Sequence, residues 1–408
     1  MSNSSGRALF GVRDFRLFGA ARFLTSLAGE MQVVAVGWFV YELTKSPFAL
    51  GLVGLAAFLP AILAAPISGH VADAYDRRLV ATAGWALQTL AQLGLVALAA
   101  SGSRDVWPVY GLVVVIGTAR AFASPALSAL LPTLVPRALF GPAVAWSSSF
   151  WQSAAVVGPA LGGFLYVFGA ATVFGAAAAL FALGAVLIAA IGHRPAPRTE
   201  REPVTWASLT AGLSYIRAQP VVLGAISLDL VAVLLGGAVA LLPIYAADIL
   251  HVGPVGLGAL RSMPAVGAIA TAIVMGYRPL RRRAGPRLLG AVGIFGLATT
   301  VFGLSTNLWL SLAALAAAGA ADMVSVTIRQ SLVQGETPDA MRGRVSAVES
   351  VFIGASNQLG EFESGMLAAA IGTVPSVVAG GLATVLVAAA WGALFPALKR
   401  RDRLMGQE

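Results

Sequence analysis

Long apolar stretches recur along this chain and are separated by short polar segments. A helix needs roughly 20 mostly apolar residues to cross a hydrocarbon core of about 30 Å. Twelve stretches reach about this length, and each one predicts a membrane-spanning helix. They lie at 17–41, 48–69, 80–100, 108–131, 143–167, 170–192, 221–246, 255–276, 288–304, 308–333, 346–371 and 376–397. The pattern predicts an all-α membrane protein with twelve transmembrane helices.

The only long polar stretch between two predicted spans follows the sixth of them. Its first part is rich in Pro and charged residues, which is typical of a linker, and 204–217 predicts a short helix on the membrane surface. We therefore expect an N-terminal six-helix bundle at 1–192, a cytoplasmic linker at 193–219 and a C-terminal six-helix bundle at 220–408.

Composition supports the membrane class. Hydrophobic residues make up 58% of the chain and charged residues 11%, with a mean hydropathy of +0.83, whereas soluble domains contain about 25% charged residues. The chain has no Cys, and its three His are far apart. Because imidazole and thiolate are the usual ligands of transition metals, we expect no metal site, and no motif predicts a cofactor.

The basic residues of the chain predict its orientation in the membrane. Of the 27 Lys and Arg, 21 lie in the N-terminal tail, the even-numbered loops and the C-terminus, and only Lys45 and Arg104 lie in the opposite loops. Basic loops face the cytoplasm, so both termini are expected there. The net charge of +9 is explained in this way and does not predict nucleic-acid binding. The polar start, 1–16, predicts a cytoplasmic tail rather than a cleaved signal peptide.

The two halves of the chain share features at a constant offset of 202 residues. The matching pairs are Gly117 and Gly319, Pro136 and Pro338, Gly158 and Gly360, and Gly163 and Gly365. Duplicated halves with a binding site at their interface are the usual construction of secondary transporters. The repeat therefore favours a transporter.

The loop after the second predicted span contains a run of glycine and charged residues. They are Gly69, Asp73, Asp76, Arg77 and Arg78. A glycine at the end of a helix permits a tight turn, and Asp and Arg at this spacing can pair within and across the loop. The run predicts an ordered loop.

The fifth predicted span contains a second motif, formed by Gly158, Pro159, Gly162 and Gly163. Small residues let neighbouring helices approach closely, and proline removes a backbone hydrogen bond and bends the helix. The motif predicts a bent helix in close contact with others.

Together these motifs resemble those of the major facilitator superfamily. The first is similar to its loop signature G-x-x-x-D-R-x-G-R-R/K, with Ala74 and Asp76 in place of Arg and Gly. The second is similar to the G-P-x-x-G-G antiporter signature of its exporters, with Ala154 in place of a preceding Gly. The segments FALGLVGLAAFLP, RAFASPALSALLPTLVPR and TPDAMRGRVSAV resemble the branch that contains enterobactin and macrolide exporters.

This resemblance implies a monomer in the bacterial cytoplasmic membrane that works by alternating access of two six-helix halves, usually driven by proton antiport. It also implies that Asp73, Arg77 and Arg78 latch the cytoplasmic side when the protein faces outward. A solvated loop that follows the charge rule is the alternative. Arg342 and Arg344 are expected to be the counterparts of the latch in the second half, or simply topology signals.

Ionisable residues inside the predicted spans are candidate functional groups, because a charge at the bilayer centre costs about 2.5–3.5 kcal/mol on insertion scales. Arg22, Ser26 and Glu30 share one face of the first span. Arg120 in the fourth span keeps its charge and needs an anion or water. Glu30 is therefore a candidate proton or substrate site with Arg120 as its partner, and a permanent Arg120–Glu30 ion pair is the alternative.

The second half contributes further candidates. Asp229 lies in the seventh span and Asp322 near the middle of the tenth, on one face with Arg329. We expect Arg329 to anchor the cytoplasmic end of its helix. The eleventh span contributes Asn357, Glu361 and Glu363. One of these two acids is expected to face a cavity and the other to pair with an Arg or water, and the pattern leaves open which.

These features favour a proton-coupled exporter of amphipathic small molecules such as drugs or siderophores. A uniporter or proton symporter that imports an anion held by Arg22 and Arg120 is the second hypothesis. An intramembrane enzyme is the third, and the lack of Cys, of an HExxH motif and of nucleotide-binding signatures disfavours it. The expected partners are a small-molecule substrate, protons and lipid.

Overall fold

The protein was analysed as a computed structural model that describes residues 8–192, 206–278, 280 and 282–402, without the side chains at 61, 65, 66, 69, 70, 72, 73, 206–209 and 340. These residues form helices, and no strand occurs among them. The main helices are α1 (Arg13–Thr44), α2 (Pro47–Ala74), α3 (Arg77–Ser101), α4 (Trp107–Leu134), α5 (Phe140–Tyr166), α6 (Ala170–Ala189), α7 (Trp206–Ala218), α8 (Pro220–Leu235), α9 (Gly253–Tyr277), α10 (Ala284–Leu304), α11 (Leu308–Glu336), α12 (Asp339–Ile371) and α13 (Thr373–Leu394).

Ten helical segments of the described chain are long and apolar enough to cross a membrane. They comprise α1, α2, α3, α4, α6, α8 with its continuation to Ile249, α9, α10, α11 and α13. Helices α5 and α12 have 27 and 33 residues but are less apolar, since α5 is rich in Ser and Gly and α12 carries several acids. The prediction of an all-α, multi-pass membrane protein is confirmed, and the count of twelve spans stays a prediction.

The chain divides into two compact units. Unit 1 comprises Met1–Lys45, Ala56–Pro203 and Pro254–Gly258, and unit 2 comprises the remainder. The main division falls inside the predicted linker, most of which lies outside the described residues. The predicted boundaries at 192 and 220 stay a prediction.

The core of unit 1 lies where α1 packs on α5 and α6 and where α3 packs on α4 and α6. Trp85 of α3 stacks on Phe181 of α6, with ring centroids 5.7 Å apart and planes inclined by 14°. Both rings are buried, and this stack holds α3 and α6 together at the level of the cavity described below.

In unit 2, α10 packs between α11 and α13, and α8 packs on α12. The predicted short helix before the seventh span corresponds to α7, and its place on the membrane surface stays a prediction. Its Ile216 is 1% exposed and belongs to an apolar cluster with residues of α8, α11 and α12. Helix α7 is therefore packed on other helices through this apolar face.

The predicted span 221–246 is not one continuous α-helix. Helix α8 ends at Leu235, and a 3₁₀ turn at Ala238–Leu241 and a π-helical turn at Tyr245–Ile249 follow. The adjacent Gly236 and Gly237 disfavour helix, and Pro243 removes a backbone donor. The irregular segment is nevertheless fixed in place, because the buried Tyr245 hydroxyl donates to the Gly303 carbonyl at 2.8 Å.

Two pairs of glycines separated by 202 residues lie at equivalent helix contacts. Gly117 of α4 packs against the backbone of α2 at Ala57, and Gly319 of α11 packs against the backbone of α9 at Pro264. Likewise Gly158 brings α5 onto α1, and Gly360 brings α12 onto α8. A side chain at these positions would collide with the facing helix, which explains why each is Gly.

Candidate functional site

The polar stripe predicted on α1 lines a cavity in unit 1 with a volume of about 200 Å³. Arg22, Ser26 and Glu30 face it from α1, and Arg120 faces it from α4. The remaining lining residues are Thr25, Gly29, Trp85, Gln88, Ser124, Leu127, Trp151 and Phe181. The structure thus brings together three of the predicted site residues, which are Arg22, Glu30 and Arg120.

Glu30 is not held by a fixed counter-ion. In the part of the chain that the structure describes, Arg22, Glu30 and Arg120 have no salt-bridge partner within 4.0 Å. Arg120 reaches across to α1, where a Cβ atom at Gly29 would lie 3.3 Å from its Nη2 atom. The permanent Arg120–Glu30 ion pair, which the sequence left open, is not formed here. The Glu30 carboxyl group is therefore available to a proton or a ligand, and both guanidinium groups are available to a ligand.

Gly158 of the fifth-span motif supports the Glu30 side chain. A Cβ atom at Gly158 would lie 2.5 Å from the Cβ atom of Glu30 and 3.2 Å from the Leu27 carbonyl oxygen. One turn further on, a Cβ at Gly162 would lie 2.9 Å from the Cα of Met31. The glycines of the motif therefore let α5 lie directly on α1 beside the cavity.

We expect Gly158→Val to lower the free energy of unfolding by about 1–3 kcal/mol, because the new side chain overpacks the α1–α5 contact. Equilibrium unfolding of the purified protein in mixed detergent and SDS micelles measures this loss. Gly175→Val in α6 is the matched control, since a Cβ there meets no atom within 4 Å. An equal loss in the two variants would contradict the close packing of Glu30 on α5.

The other two residues of the motif lie along the same helix. Pro159 is buried inside α5. Gly163 faces the backbone of α9 within unit 1, where a Cβ would collide with the Pro254 carbonyl. All four motif residues therefore occupy buried helix contacts, with Gly158 nearest the cavity.

Sequence reasoning missed two cavity residues on α3. Trp85 and Gln88 lie one turn apart and face the cavity, and Gln88 is 0% exposed. Four residues further along, Gln92 donates to the Gln32 side chain of α1 at 2.5 Å. Two glutamines at i and i+4 in an apolar helix were the signal that could have identified this face.

Arg329 forms a second buried cluster, in unit 2. Its side chain is 3% exposed, and it lies 3.2 Å from the Asp229 carboxylate of α8 and 2.9 Å from the Glu349 carboxylate of α12. The prediction that Arg329 anchors a helix end is wrong, because two acids on neighbouring helices bind its guanidinium group inside the unit.

Asp322 belongs to the same cluster. It lies two helical turns before Arg329 on the same face of α11 and interacts electrostatically with Asp229 and Arg329. Glu349 was also missed, because it lies near the start of the predicted stretch 346–371, where a charged residue is typical of the end of a membrane span.

The three candidates of α12 take different places. Asn357 is exposed and donates to the Ile353 carbonyl of its own helix at 2.8 Å. Glu361 packs against Gly54 of α2, where a Cβ would lie 2.9 Å from its Oε2 atom. Glu363 is partly buried and hydrogen-bonds to Ser364. None of the three is among the residues that line the unit 1 cavity.

The loop between α2 and α3 is held within unit 1. Asp76 caps α3 by accepting a hydrogen bond from the Arg78 backbone N–H at 2.9 Å. The Arg78 guanidinium donates to the Ile191 carbonyl at 2.5 Å, and the Arg77 guanidinium donates to the Ala129 carbonyl at 3.2 Å.

Arg77 is only 7% exposed, so the alternative of a solvated loop does not describe it. Gly69 and the Asp73 side chain, the other two predicted gate positions, are not among the parts of the chain that the structure describes in detail.

The predicted counterparts of this loop lie at the start of α12. Arg342 forms an exposed ion pair with Asp339 at 2.5 Å and donates from Nε to the Gln334 carbonyl. The Arg344 guanidinium lies 3.9 Å from the sulfur of Met341. The described residues contain no group of three His, Cys, Asp or Glu that could hold a metal ion.

Comparison with known proteins identifies the family to which these residues belong. Residues 4–404 match the MFS_3 family model, described as transmembrane secretion effector. The chain belongs to this family. The resemblance of the chain to the major facilitator superfamily is thereby confirmed, and the protein is a multi-pass membrane transporter and not an enzyme.

Known relatives match nearly the whole of this chain. The enterobactin exporter EntS of Escherichia coli O1:K1 / APEC is 28% identical over 380 residues, which are 91% of this chain and 89% of the relative. The enterobactin exporter EntS of Shigella boydii serotype 18 has the same identity and coverage. These are the proteins that the sequence motifs predicted as relatives.

Solved structures share the fold of this chain. The nucleoside transporter NupG has a TM-score of 0.74 at 15% identity, covering 94% of this chain and 99% of its own. A bacterial homolog of the human lysosomal transporter Spinster has a TM-score of 0.72 at 14% identity, covering 95% and 96%. The fold is therefore that of known transporters.

Proposed function

We propose that this secretion effector is a proton-coupled exporter that exchanges amphipathic small molecules, such as siderophores or drugs, for protons. The observation that carries the proposal is the unit 1 cavity, where Glu30 lies with Arg22 and Arg120 and none of the three has an ion-pair partner among the described residues. Ionisable groups inside a membrane protein mark substrate and proton paths. The enterobactin exporters among its relatives support the direction of transport.

The architecture that fits this function is a bundle of twelve spans in two six-helix repeats. The matched glycines support it, since Gly117 and Gly319, and Gly158 and Gly360, make equivalent helix contacts. Alternating access in such transporters is a rocking of one repeat against the other. Both termini lie in the cytoplasm of a bacterial cell, on the argument of the basic loops, and the protein acts as a monomer.

Glu30 is the proposed proton carrier of this exchange. Its carboxyl group gains a proton when the cavity is open to the outside and releases it when the cavity is open to the cytoplasm. Arg120, which lies against Gly29 on α1, is the proposed cationic neighbour of this group. Asp322, Asp229, Glu361 and Glu363 are the further candidate proton sites.

Two loop regions are the proposed gates. Arg77 and Arg78, fixed by carbonyl groups of unit 1, together with Asp73 and Asp76, latch the cytoplasmic side in the outward-facing state. Arg342 and Arg344 take the corresponding part at the start of α12. The glycine motif of α5 seals its helix contacts against proton leakage, because a close helix contact leaves no room for water.

A second candidate is the import or uniport of an anionic small molecule. The observation that favours it is the charge of the cavity lining, which holds two guanidinium groups and one carboxyl group. A proton symporter would use the same Glu30, with the proton and the anion moving in one direction.

Transport into inverted membrane vesicles tests the proposal. With an acidic interior, vesicles that contain the protein are expected to accumulate enterobactin or a lipophilic dye, and nigericin, which removes the pH gradient, is expected to reduce uptake to that of vesicles without the protein. Uptake that survives the loss of the gradient would contradict proton antiport. Release of substrate from loaded vesicles by the same gradient would establish symport instead.

A further inference from the structure

Side chains that line the unit 1 cavity contain buried polar atoms that make no hydrogen bond to any of the described residues. They are Nε of Arg22, Nε1 of Trp85, and both the nitrogen and the oxygen of the Gln88 side-chain amide. Gln88 is 0% exposed and Trp85 is 6% exposed. A buried donor without a partner costs about 1–3 kcal/mol. Three such side chains facing one cavity are therefore a built site for a polar ligand group.

Donors dominate this site. The guanidinium group of Arg22 and the indole N–H of Trp85 can only donate, and the Gln88 amide supplies two further N–H bonds. The charges of the lining are those of Arg22, Arg120 and Glu30, so the cations outnumber the anions. The group that such a lining recognises is an anionic oxygen, either carboxylate or phenolate, since charge-assisted hydrogen bonds from guanidinium are the strong ones.

The orientation of these donors is fixed in advance. Trp85 is stacked on Phe181, which sets the direction of its indole N–H. Gln88 lies on the same helix between Trp85 and Gln92, and Gln92 is tied to Gln32 of α1. A preorganised set of donors loses little conformational freedom on binding.

The apolar part of the lining indicates the body of the ligand. Trp85, Leu127, Trp151 and Phe181 surround the cavity, and aromatic linings favour flat apolar ligands. The cavity has a volume of about 200 Å³. An apolar protein cavity of about 150 Å³ is already large enough to bind benzene. The cavity therefore fits one aromatic ring with its acid group, either as a complete small ligand or as one arm of a larger one.

Position on α1 separates this site from Glu30. Arg22 and Glu30 are eight residues apart on one helix, which is about 12 Å at 1.5 Å per residue. Arg120 lies against Gly29, the residue next to Glu30 on α1. An anion held at Arg22 therefore does not have to share a guanidinium group with the Glu30 carboxylate.

We propose that Arg22, Trp85 and Gln88 form the binding site for the acid group of an aromatic acid, with Trp151 and Leu127 beside its ring. This deepens the proposed function, because it names the class of substrate that the cavity takes, and it rests on that function only for its role in transport. Binding itself requires neither a gradient nor a membrane.

The probe for this site is benzoate, titrated by isothermal calorimetry into the full-length protein in detergent. Benzamide, which has the same shape and no charge, and benzylammonium, which has the opposite charge, are the matched ligands. We expect benzoate to bind about tenfold or more tightly than benzamide, which corresponds to the gain of a hydrogen bond to a charged group. Benzylammonium is expected not to bind.

Single substitutions then locate the site. Arg22→Gln is expected to weaken benzoate binding by about ten- to a hundredfold, and Trp85→Phe, which removes only the indole N–H, by about three- to tenfold. Gln88→Leu is expected to weaken it by a similar factor. The controls are Arg104→Gln in the exposed α3–α4 loop and Trp107→Phe, whose side chain is 70% exposed, and both should keep the Kd of the parent protein.

Each outcome decides the inference. Benzylammonium binding more tightly than benzoate, or an unchanged Kd in folded Arg22→Gln and Trp85→Phe, overturns it. The unfolding transition of each variant, measured in the same detergent, identifies any variant that fails to fold, and the ligand series on the parent protein stands without the variants. Absent benzoate binding together with pH-driven export would reject this inference alone, whereas benzoate binding without pH-driven export would reject the proposed function alone.

Discussion

Replacing Arg329 with Met is expected to lower the free energy of unfolding by about 3–5 kcal/mol. The substitution leaves two carboxylates, Asp229 and Glu349, buried without their counter-ion, and their side chains are only 9% and 12% exposed. Removal of one partner from a buried ion pair is costly because the remaining charge has lost its hydration. Equilibrium unfolding in mixed detergent and SDS micelles measures the change.

Two further variants show whether the loss comes from buried charge. Arg342→Met breaks an ion pair whose side chains are 53% and 88% exposed, and pairs of this kind contribute about 1 kcal/mol or less. Adding Asp229→Asn and Glu349→Gln to Arg329→Met removes the stranded charges and should recover most of the lost stability. A loss in Arg329→Met no larger than that in Arg342→Met would refute the buried cluster.

Hydropathy predicts most of this fold because a helix that crosses the membrane pairs its backbone groups internally and needs a run of apolar side chains as long as the hydrocarbon core. The predicted stretch 308–333 corresponds to Leu308–Glu336, and 170–192 corresponds to Ala170–Ala189. The prediction is least accurate at 221–246, where Gly236 and Gly237 interrupt α8. The hydropathy of the segment does not reveal this break, because hydropathy measures transfer of side chains to lipid and is insensitive to backbone conformation.

The charged part of the candidate site could also be predicted from the sequence. Arg22 and Glu30 stand out because charge is rare in an apolar helix, and helical spacing places them on one face. Arg120 lines the same cavity because α4 packs in unit 1 with this face toward the cavity, and the sequence alone does not determine that packing. The structure adds that no ion pair joins them, so the permanent Arg120–Glu30 pair that the sequence left open is not formed.

The uncharged part of the site could not be predicted in this way. Trp85 and Gln88 carry no charge, and a buried Trp is usually an ordinary core residue. Their importance depends on N–H groups that have no partner among the described residues, in side chains that line the cavity. Arg329 was misread for a related reason, since its two acids lie on α8 and α12, at a sequence distance that no local pattern spans.

Replacing Glu30 with Gln is expected to abolish transport that depends on the pH gradient. The amide has nearly the shape of the protonated acid and can neither gain nor release a proton, so the cavity keeps its packing on Gly158 and loses its proposed proton carrier. Uptake of substrate into inverted vesicles with an acidic interior should therefore fall to that of vesicles without the protein. Exchange of labelled for unlabelled substrate, which needs no net proton movement, should persist.

Glu42→Gln is the matched control, because it makes the same chemical change at the other end of α1. Its carboxylate accepts hydrogen bonds from Trp38 and Tyr166, each at 2.7 Å, and does not line the cavity. The control should keep its dependence on the gradient even where it loses stability. If Glu30→Gln still responded to nigericin as the parent protein does, the proton would have to travel through another carboxyl group. Asp322 would then be the next residue to replace. It is the one acid of the buried cluster in unit 2 that has no direct ion pair among the described residues.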